Sequence, residues 1–224
     1  MSSLRASEAA PRLDWFASAF GRRLLACEAR ALQEAGLGAR GGRTLVISGS
    51  PSAGFALALD APQRPLQLAF DARRGRLEGG LRAGLQGLPF CRESFGLILL
   101  WHLPSQRGFD QLDLGQLAEL LLPEGELALV ALNPFSAWRL HWQRFGLASP
   151  GVGGLGGRLL EAGLELRAAR GLGPRWPWAT ADGLDPVVHS PPLCGSVLLL
   201  ARHRRPGVKL LPSGRMAPLR MGAG

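Results

Sequence analysis

The chain of 224 residues has no tyrosine, one lysine (Lys209) and only three cysteines. Cys27, Cys91 and Cys194 lie far apart, with no Cys-x-x-Cys pair and no neighbouring pair of histidines, which argues against a disulfide framework and a structural zinc site. No stretch reaches the roughly 18–20 apolar residues that cross a bilayer, and the N-terminus has no signal-peptide core. We therefore expect a cytoplasmic protein with neither a metal nor a membrane partner.

The excess of positive charge is concentrated at one end of the chain. There are 26 basic and 17 acidic residues, and the segment from Arg202 to Gly224 contributes six units of the net +9 and contains no acidic residue. The abundance of Arg, Ala, Gly and Leu with a single Lys is typical of a GC-rich genome, so the arginines do not by themselves indicate nucleic-acid binding. We expect one domain over residues 1–202 and a flexible basic tail over residues 203–224, through which nucleic-acid binding is an alternative.

Apolar periodicity predicts an alternation of helices and strands. Apolar residues recur every three to four positions over residues 13–35, which predicts an amphipathic helix packed on the domain. Short, continuous apolar runs are typical of strands that are buried on both faces. The alternation predicts an α/β fold with a parallel sheet covered on both sides. We predict strands over residues 43–48, 65–70, 94–101, 126–132, 164–170 and 195–202, and further helices over residues 111–122 and 158–162.

Two segments carry a recognisable sequence pattern. Residues 88–102, LPFCRESFGLILLWH, combine a Leu-Pro-Phe start, an acidic turn, an apolar strand and a closing histidine, and residues 120–130, LLLPEGELALV, combine a helix end, a turn and a strand. In order and spacing they resemble the class I S-adenosylmethionine-dependent methyltransferases, in particular their type-11-like bacterial branch. The resemblance implies a Rossmann-like fold with a seven-stranded, mostly parallel sheet, an antiparallel last strand and helices on both faces. It also implies S-adenosylmethionine as the cofactor.

The loop after the first predicted strand is the natural cofactor loop, because ligands of open parallel sheets lie outside the carboxyl ends of the strands. This loop starts with Gly49, Ser50 and Pro51 and runs to Gly54. It is degenerate relative to the family, which usually has an acidic residue where this chain has Ile47 and a glycine repeat where it has Pro51. The proline matters because it removes an N–H that might bind the cofactor.

Further cofactor contacts follow from the same resemblance. Asp71 is the candidate for binding the ribose hydroxyls, since a carboxylate accepts hydrogen bonds from both, and Glu78 is the alternative. The family's acidic residue near the adenine is missing, which leaves Gln86 as the polar candidate there. The predicted cofactor-binding residues are Gly49, Ser50, Pro51, Asp71, Gln86, Leu88 and His102.

Three residues are candidates for the chemistry or for binding the methyl acceptor. His102 follows a strand and could take a proton from an attacking hydroxyl or amine, or simply contact the cofactor or cap the strand. Asn133 could orient the acceptor or act as a turn residue before Pro134. Trp138 could face the acceptor or close the core.

The sequence supports two functional hypotheses. The first is methyl transfer from S-adenosylmethionine to an unidentified acceptor, most simply a small molecule. The alternative is a degenerate methyltransferase fold that acts as a non-catalytic binding or adaptor protein, because several polar anchors of the family are replaced together.

Overall fold

A computed structural model describes residues 14–37, 42–51, 64–177, 187–188 and 193–203. The prediction of a basic tail lies outside these residues except for His203. The end of the predicted cofactor loop, residues 52–54, also lies outside them, as does the start of the predicted domain, residues 1–13.

The described residues contain four α-helices and nine β-strands. The predicted strands are confirmed, and the predicted helices form with shifted ends. The helices are α1 (Ala19–Glu34), α2 (Leu114–Leu120), α3 (Arg139–Trp142) and α4 (Gly151–Glu161). The strands are β1 (Arg43–Ser48), β2 (Leu66–Asp71), β3 (Arg76–Gly79), β4 (Arg82–Gly84), β5 (Phe95–Trp101), β6 (Leu121–Leu132), β7 (Leu164–Leu172), β8 (Val187–Val188) and β9 (Ser196–His203).

The strands form one sheet in the order β4-β3-β2-β1-β5-β6-β9-β7-β8. The centre is parallel, with β1 between β2 and β5, and β5 paired to β6. The last strand, β9, is antiparallel to both β6 and β7. The predicted α/β class with a mostly parallel sheet and an antiparallel last strand is confirmed, although the described residues form nine strands where the resemblance implied seven.

The additional strands arise partly from a local departure after β2. Asp71 ends β2, and the chain turns back at once as β3 and β4, each antiparallel to its predecessor. A parallel crossover usually contains a helix, whereas the fifteen residues between Asp71 and Gly87 include four glycines, which disfavour one. An antiparallel meander therefore stands where the resemblance implied a crossover to a third parallel strand.

Each face of the sheet is covered by a separate apolar core. On one face, α2 and α4 pack against alternate residues of the central strands, including Leu45, Ile98 and Leu129. On the other face, α1 and its preceding turn pack against the intervening residues, such as Val46 and Leu99. Within the described residues, no helix has the length and apolar character needed to cross a membrane.

Helix α4 shows where the sequence-based prediction fell short. It begins at Gly151 in the glycine-rich stretch, seven residues before the predicted start, because Leu155 and Leu159 are buried against the sheet. Glycine disfavours a helix by roughly 1 kcal/mol relative to alanine, so only tertiary burial explains this early start.

Replacing exposed glycines inside α4 should therefore stabilise the protein. A Cβ at Gly153 or Gly157 meets no atom within 4 Å, so each Gly→Ala change should raise the free energy of unfolding by about 0.5–1 kcal/mol in urea denaturation. Gly151→Ala is the matched control and should destabilise, because Gly151 has a φ of 70°. Equal effects at all three positions would contradict this account of α4.

Candidate functional site

The carboxyl ends of β1 and β5 form the crevice at which the sheet changes direction. From β1 the chain moves outward to β2 on one side, and it later returns to β5 on the other. Ligands of open α/β sheets bind at such a switch point. The two strand ends are joined here, since the Gly49 amide donates a hydrogen bond to the Trp101 carbonyl oxygen over 2.7 Å.

Gly49 is required by the packing of this crevice. A Cβ at position 49 would lie 2.3 Å from the carbonyl oxygen of His102 and 2.8 Å from the amide nitrogen of Leu103. The backbone leaving β1 is therefore in direct contact with the backbone leaving β5. Whatever it contributes to a cofactor, Gly49 first allows these two strand ends to approach.

His102 lies at the crevice and is fully buried. Its backbone adopts a left-handed conformation with a φ of 55°. Its Nε2 lies 2.7 Å from Oε2 of Glu28 in α1, and the same carboxylate oxygen accepts the indole N–H of Trp101 over 2.9 Å. In the tautomer that carries its proton on Nε2, the imidazole donates this bond and Nδ1 keeps its lone pair.

Two buried polar atoms of this network remain unused. His102 Nδ1 and Glu28 Oε1 have no hydrogen-bond partner within the described part of the chain. Burying an unpaired polar atom costs free energy, so such atoms are commonly found where a ligand or water binds.

The turn before α1 spans the crevice from one side to the other. The Asp14 carboxylate accepts the backbone N–H of Phe16 over 3.0 Å and also the hydroxyl of Ser50. The Phe16 ring lies over the imidazole of His102, with 4.5 Å between the ring centroids. We call residues 14–17 the N-terminal turn. It contacts both the loop after β1 and the residue after β5.

Asp71 lies at the carboxyl end of β2, as predicted, but it is also part of its own hairpin. Its carboxylate accepts the backbone amides of Arg73 and Arg74 over 2.9 and 3.3 Å, and it contacts the Arg74 guanidinium at 3.2 Å. The Arg73 amide, more than any other group, lowers the pKa of Asp71 below its usual value. Asp71 is therefore ionised at neutral pH and is a ready hydrogen-bond acceptor. The alternative, Glu78, contacts Arg76 at 2.8 Å.

Gln86 and Leu88 lie on the connection between β4 and β5. Gln86 is exposed and, together with Gln116 and His203, borders a shallow surface depression of about 510 Å³. The Leu88 side chain is buried in the core on the α2 side of the sheet. The Leu88 backbone exchanges hydrogen bonds with the Gln116 side chain and its carbonyl accepts the Phe90 amide, so within the described residues these bonds do not connect Leu88 to the crevice.

Asn133 and Trp138 follow β6 and connect neighbouring loops. Asn133 donates from Nδ2 to the Cys194 carbonyl over 3.0 Å and accepts the Phe135 amide on Oδ1 over the same distance. Trp138 is fully buried and donates its indole N–H to the Pro174 carbonyl over 2.8 Å. These bonds show the structural roles that the sequence left open, whereas the acceptor-facing roles stay predictions.

Glu28, Asp14 and Phe16 belong to the site but were not predicted from the sequence. For Glu28 a signal was present, because it lies four residues from both Leu24 and Leu32 on the apolar face of the predicted helix. A carboxylate in that position has to be paired when the helix is buried. Asp14 contacts Ser50, and Phe16 contacts His102. No local sequence pattern predicts contacts between residues so far apart in the chain.

Comparisons with solved structures identify the architecture. A methyltransferase dependent on S-adenosylmethionine from Thermotoga maritima is 15% identical, with a TM-score of 0.59 over 85% of this chain and 93% of that one. Geranyl diphosphate C-methyltransferase from Streptomyces coelicolor is 14% identical, with a TM-score of 0.57 over 82% of this chain and 80% of that one. This chain has the methyltransferase fold.

Comparisons of the sequence itself give no closer assignment. No protein-family model matches this chain, and no curated protein matches it. At these identities the solved structures show the shared fold and nothing finer. The type-11-like branch and the degenerate state of the cofactor loop therefore stay predictions from the sequence.

The buried carboxylate of Glu28 should be important for stability. Glu28→Ala removes the partner of both Trp101 and His102 and leaves a cavity beneath α1, so we expect a loss of about 3–5 kcal/mol in urea denaturation. Glu34→Ala is the control on the same helix, since its carboxylate is exposed and forms an ion pair with the exposed Arg30. It should cost less than about 1 kcal/mol. Comparable losses in the two variants would refute the proposed importance of the Glu28 network.

Gly49 should tolerate no side chain. Gly49→Ala is expected to destabilise the protein by about 3 kcal/mol, because the new methyl group overlaps the backbone after β5. The change is measured by thermal or urea unfolding. Gly87→Ala is a suitable control, since nothing lies within 4 Å of a Cβ there. An unaltered unfolding midpoint for Gly49→Ala would contradict the close contact.

Proposed function

We propose that this protein transfers the methyl group of S-adenosylmethionine to an acceptor, using the crevice between β1 and β5. The observation that carries the proposal is the pair of unused buried atoms in this crevice, His102 Nδ1 and Glu28 Oε1. They lie at the switch point of a sheet whose architecture is shared with methyltransferases dependent on this cofactor.

The residues at the crevice fit such a cofactor. The ionised Asp71 carboxylate stands at the end of β2, where it could accept hydrogen bonds from ribose hydroxyls. Gly49, Ser50 and Pro51 would supply backbone and hydroxyl contacts on the β1 side, and His102 would supply Nδ1 on the β5 side. The sequence also predicts that Gln86 and Leu88 contribute. We also propose that the chain belongs to the type-11-like branch of these methyltransferases.

The main task of the protein in methyl transfer is to align the acceptor with the methyl group. S-adenosylmethionine carries a methyl group on a positively charged sulfur, which makes that group open to attack by a nucleophile. The chain's part is to hold the acceptor in line with the methyl carbon and to exclude water, and few acid or base groups are needed for this. Where the acceptor loses a proton, Nδ1 of His102 has the lone pair to take it, while Glu28 holds the ring.

The N-terminal turn is the element that would control access to this crevice. The Ser50 hydroxyl donates a hydrogen bond to the Asp14 carboxylate, and the Phe16 ring covers the His102 ring. A ligand that binds the Ser50 hydroxyl or the His102 imidazole therefore has to displace the contacts that the N-terminal turn makes with them. We propose a small-molecule acceptor on the side of Asn133 and Trp138, where the loops after β6 and β7 meet.

No group of three or more His, Cys, Asp or Glu side chains is placed to hold a metal ion in the described part of the chain. We also propose that the protein is cytoplasmic and that residues 1–202 form a single domain.

Calorimetric titration with S-adenosylhomocysteine tests the cofactor site. The parent protein should bind with micromolar affinity, and Asp71→Asn should weaken binding at least tenfold, because a carboxylate acceptor of the ribose is lost. Asp110→Asn is the matched control, since its exposed carboxylate pairs with Arg158 and the change should leave the affinity unchanged. No binding of the parent at millimolar ligand would overturn the proposal and favour a non-catalytic adaptor protein.

A further inference from the structure

The large apolar side chains that are exposed on the described residues cluster at one end of the sheet. Seven such side chains are exposed, and five of them lie on segments at the carboxyl edge of the parallel strands. Phe20 lies in the first turn of α1, Phe135 and Leu140 follow β6, Trp176 follows β7, and Leu193 precedes the antiparallel β9. Phe135 and Leu140 are 76% and 68% exposed. The other two, Leu160 and Leu166, lie on α4 and within β7.

Contacts around Trp138 join these segments into one surface. The Trp138 ring lies 6.4 Å from the Phe20 ring, and its indole nitrogen binds the Pro174 carbonyl, two residues before Trp176. The Phe20 ring also stacks on His141, the neighbour of Leu140, at 4.3 Å. The segment that contains Leu193 is joined to the segment that contains Phe135, because the Asn133 side chain donates a hydrogen bond to the Cys194 carbonyl. We call the surface formed by Phe20, Phe135, Leu140, Trp176 and Leu193 the apolar rim.

The described segments that carry the apolar rim have an excess of positive charge. The described segments that carry it, residues 14–23, 133–150, 171–177 and 193–195, contain a single acidic residue, Asp14, which binds Ser50. The same segments contain five arginines, all exposed or half-buried: Arg22, Arg23, Arg139, Arg144 and Arg175. A protein surface that combines apolar side chains with arginines is complementary to a partner that has an apolar interior and anionic groups at its boundary.

We propose that the apolar rim docks this protein on the surface of a bilayer containing anionic lipids. Phe, Leu and Trp side chains gain free energy by entering the boundary between headgroups and acyl chains, and arginines bind lipid phosphates by paired hydrogen bonds. The sequence predicted no membrane partner because it has no long apolar run. A peripheral surface assembled from short segments leaves no such run.

Two other occupants fit the apolar rim less well. Nucleic acid would match the arginines, but the aliphatic side chains of Leu140 and Leu193 would gain little against phosphates or base edges. A second copy docked through the same surface would bring five arginines against five others. Docking does not depend on the proposed methyl transfer, although it would place the crevice at the bilayer surface.

Sedimentation with lipid vesicles tests the docking surface. The full chain should bind vesicles of phosphatidylglycerol and phosphatidylcholine and bind pure phosphatidylcholine at least fivefold less. The double change Phe135→Ser and Leu140→Ser should reduce the bound fraction at least fivefold. Leu160→Ser with Leu166→Ser is the matched control, because it removes two exposed apolar side chains elsewhere and should bind as the parent does.

The arginines are tested with reversed charges. Arg139→Glu with Arg144→Glu should reduce the preference for anionic vesicles at least fivefold. Arg92→Glu with Arg167→Glu makes the same charge change at exposed sites on other segments and should leave more of that preference in place. All variants keep the basic residues 203–224, so a tail-driven interaction would leave every variant bound alike and would overturn the proposal. Unchanged thermal unfolding of each variant confirms that folding is intact.

Tryptophan fluorescence supplies an independent measure. Trp176 is half-exposed, whereas Trp15, Trp101, Trp138 and Trp142 are buried. Anionic vesicles should shift the emission of the parent to shorter wavelength, and Trp176→Phe should reduce that shift. Binding to a single-stranded RNA oligonucleotide without binding to vesicles, or dimerisation lost in the Phe135 and Leu140 variant, would refute a lipid-docking role.

Discussion

The site depends on one buried carboxylate, that of Glu28. Burying a carboxyl group costs free energy unless it is hydrogen-bonded, and here Oε2 of Glu28 contacts both the indole N–H of Trp101 and the imidazole of His102. These bonds join α1 to the end of β5. They thereby set the N-terminal turn over the crevice, where Asp14 reaches Ser50 and Phe16 covers the imidazole. The packing of a helix on a sheet and the shape of the site are thus determined by the same bonds.

Most of the sheet could be predicted from the sequence, since strands buried on both faces leave unbroken apolar runs such as residues 95–101. The meander after Asp71 could not, because its short, exposed strands have no apolar run and form only through pairing with β2. Helix α4 was underpredicted since its glycines oppose a helix that tertiary burial nevertheless stabilises.

The candidate site was predictable in position but not in detail. The loop after β1 and the residue after β5 were identified because strand ends of a parallel sheet meet at one edge. The sequence could not show that Asp71 binds its own hairpin, or that Asn133 and Trp138 connect loops, because these bonds depend on the turns that the chain adopts. The apolar rim was hidden for a related reason: its five side chains come from four segments far apart in the sequence.

Amide hydrogen exchange with and without S-adenosylhomocysteine tests most directly whether the crevice between β1 and β5 is the ligand site. A ligand bound in this crevice should slow exchange at residues 49–50 and 102–103 and alter exchange in the N-terminal turn. Protection confined to other regions, such as the depression beside Gln86 and Gln116, would contradict it.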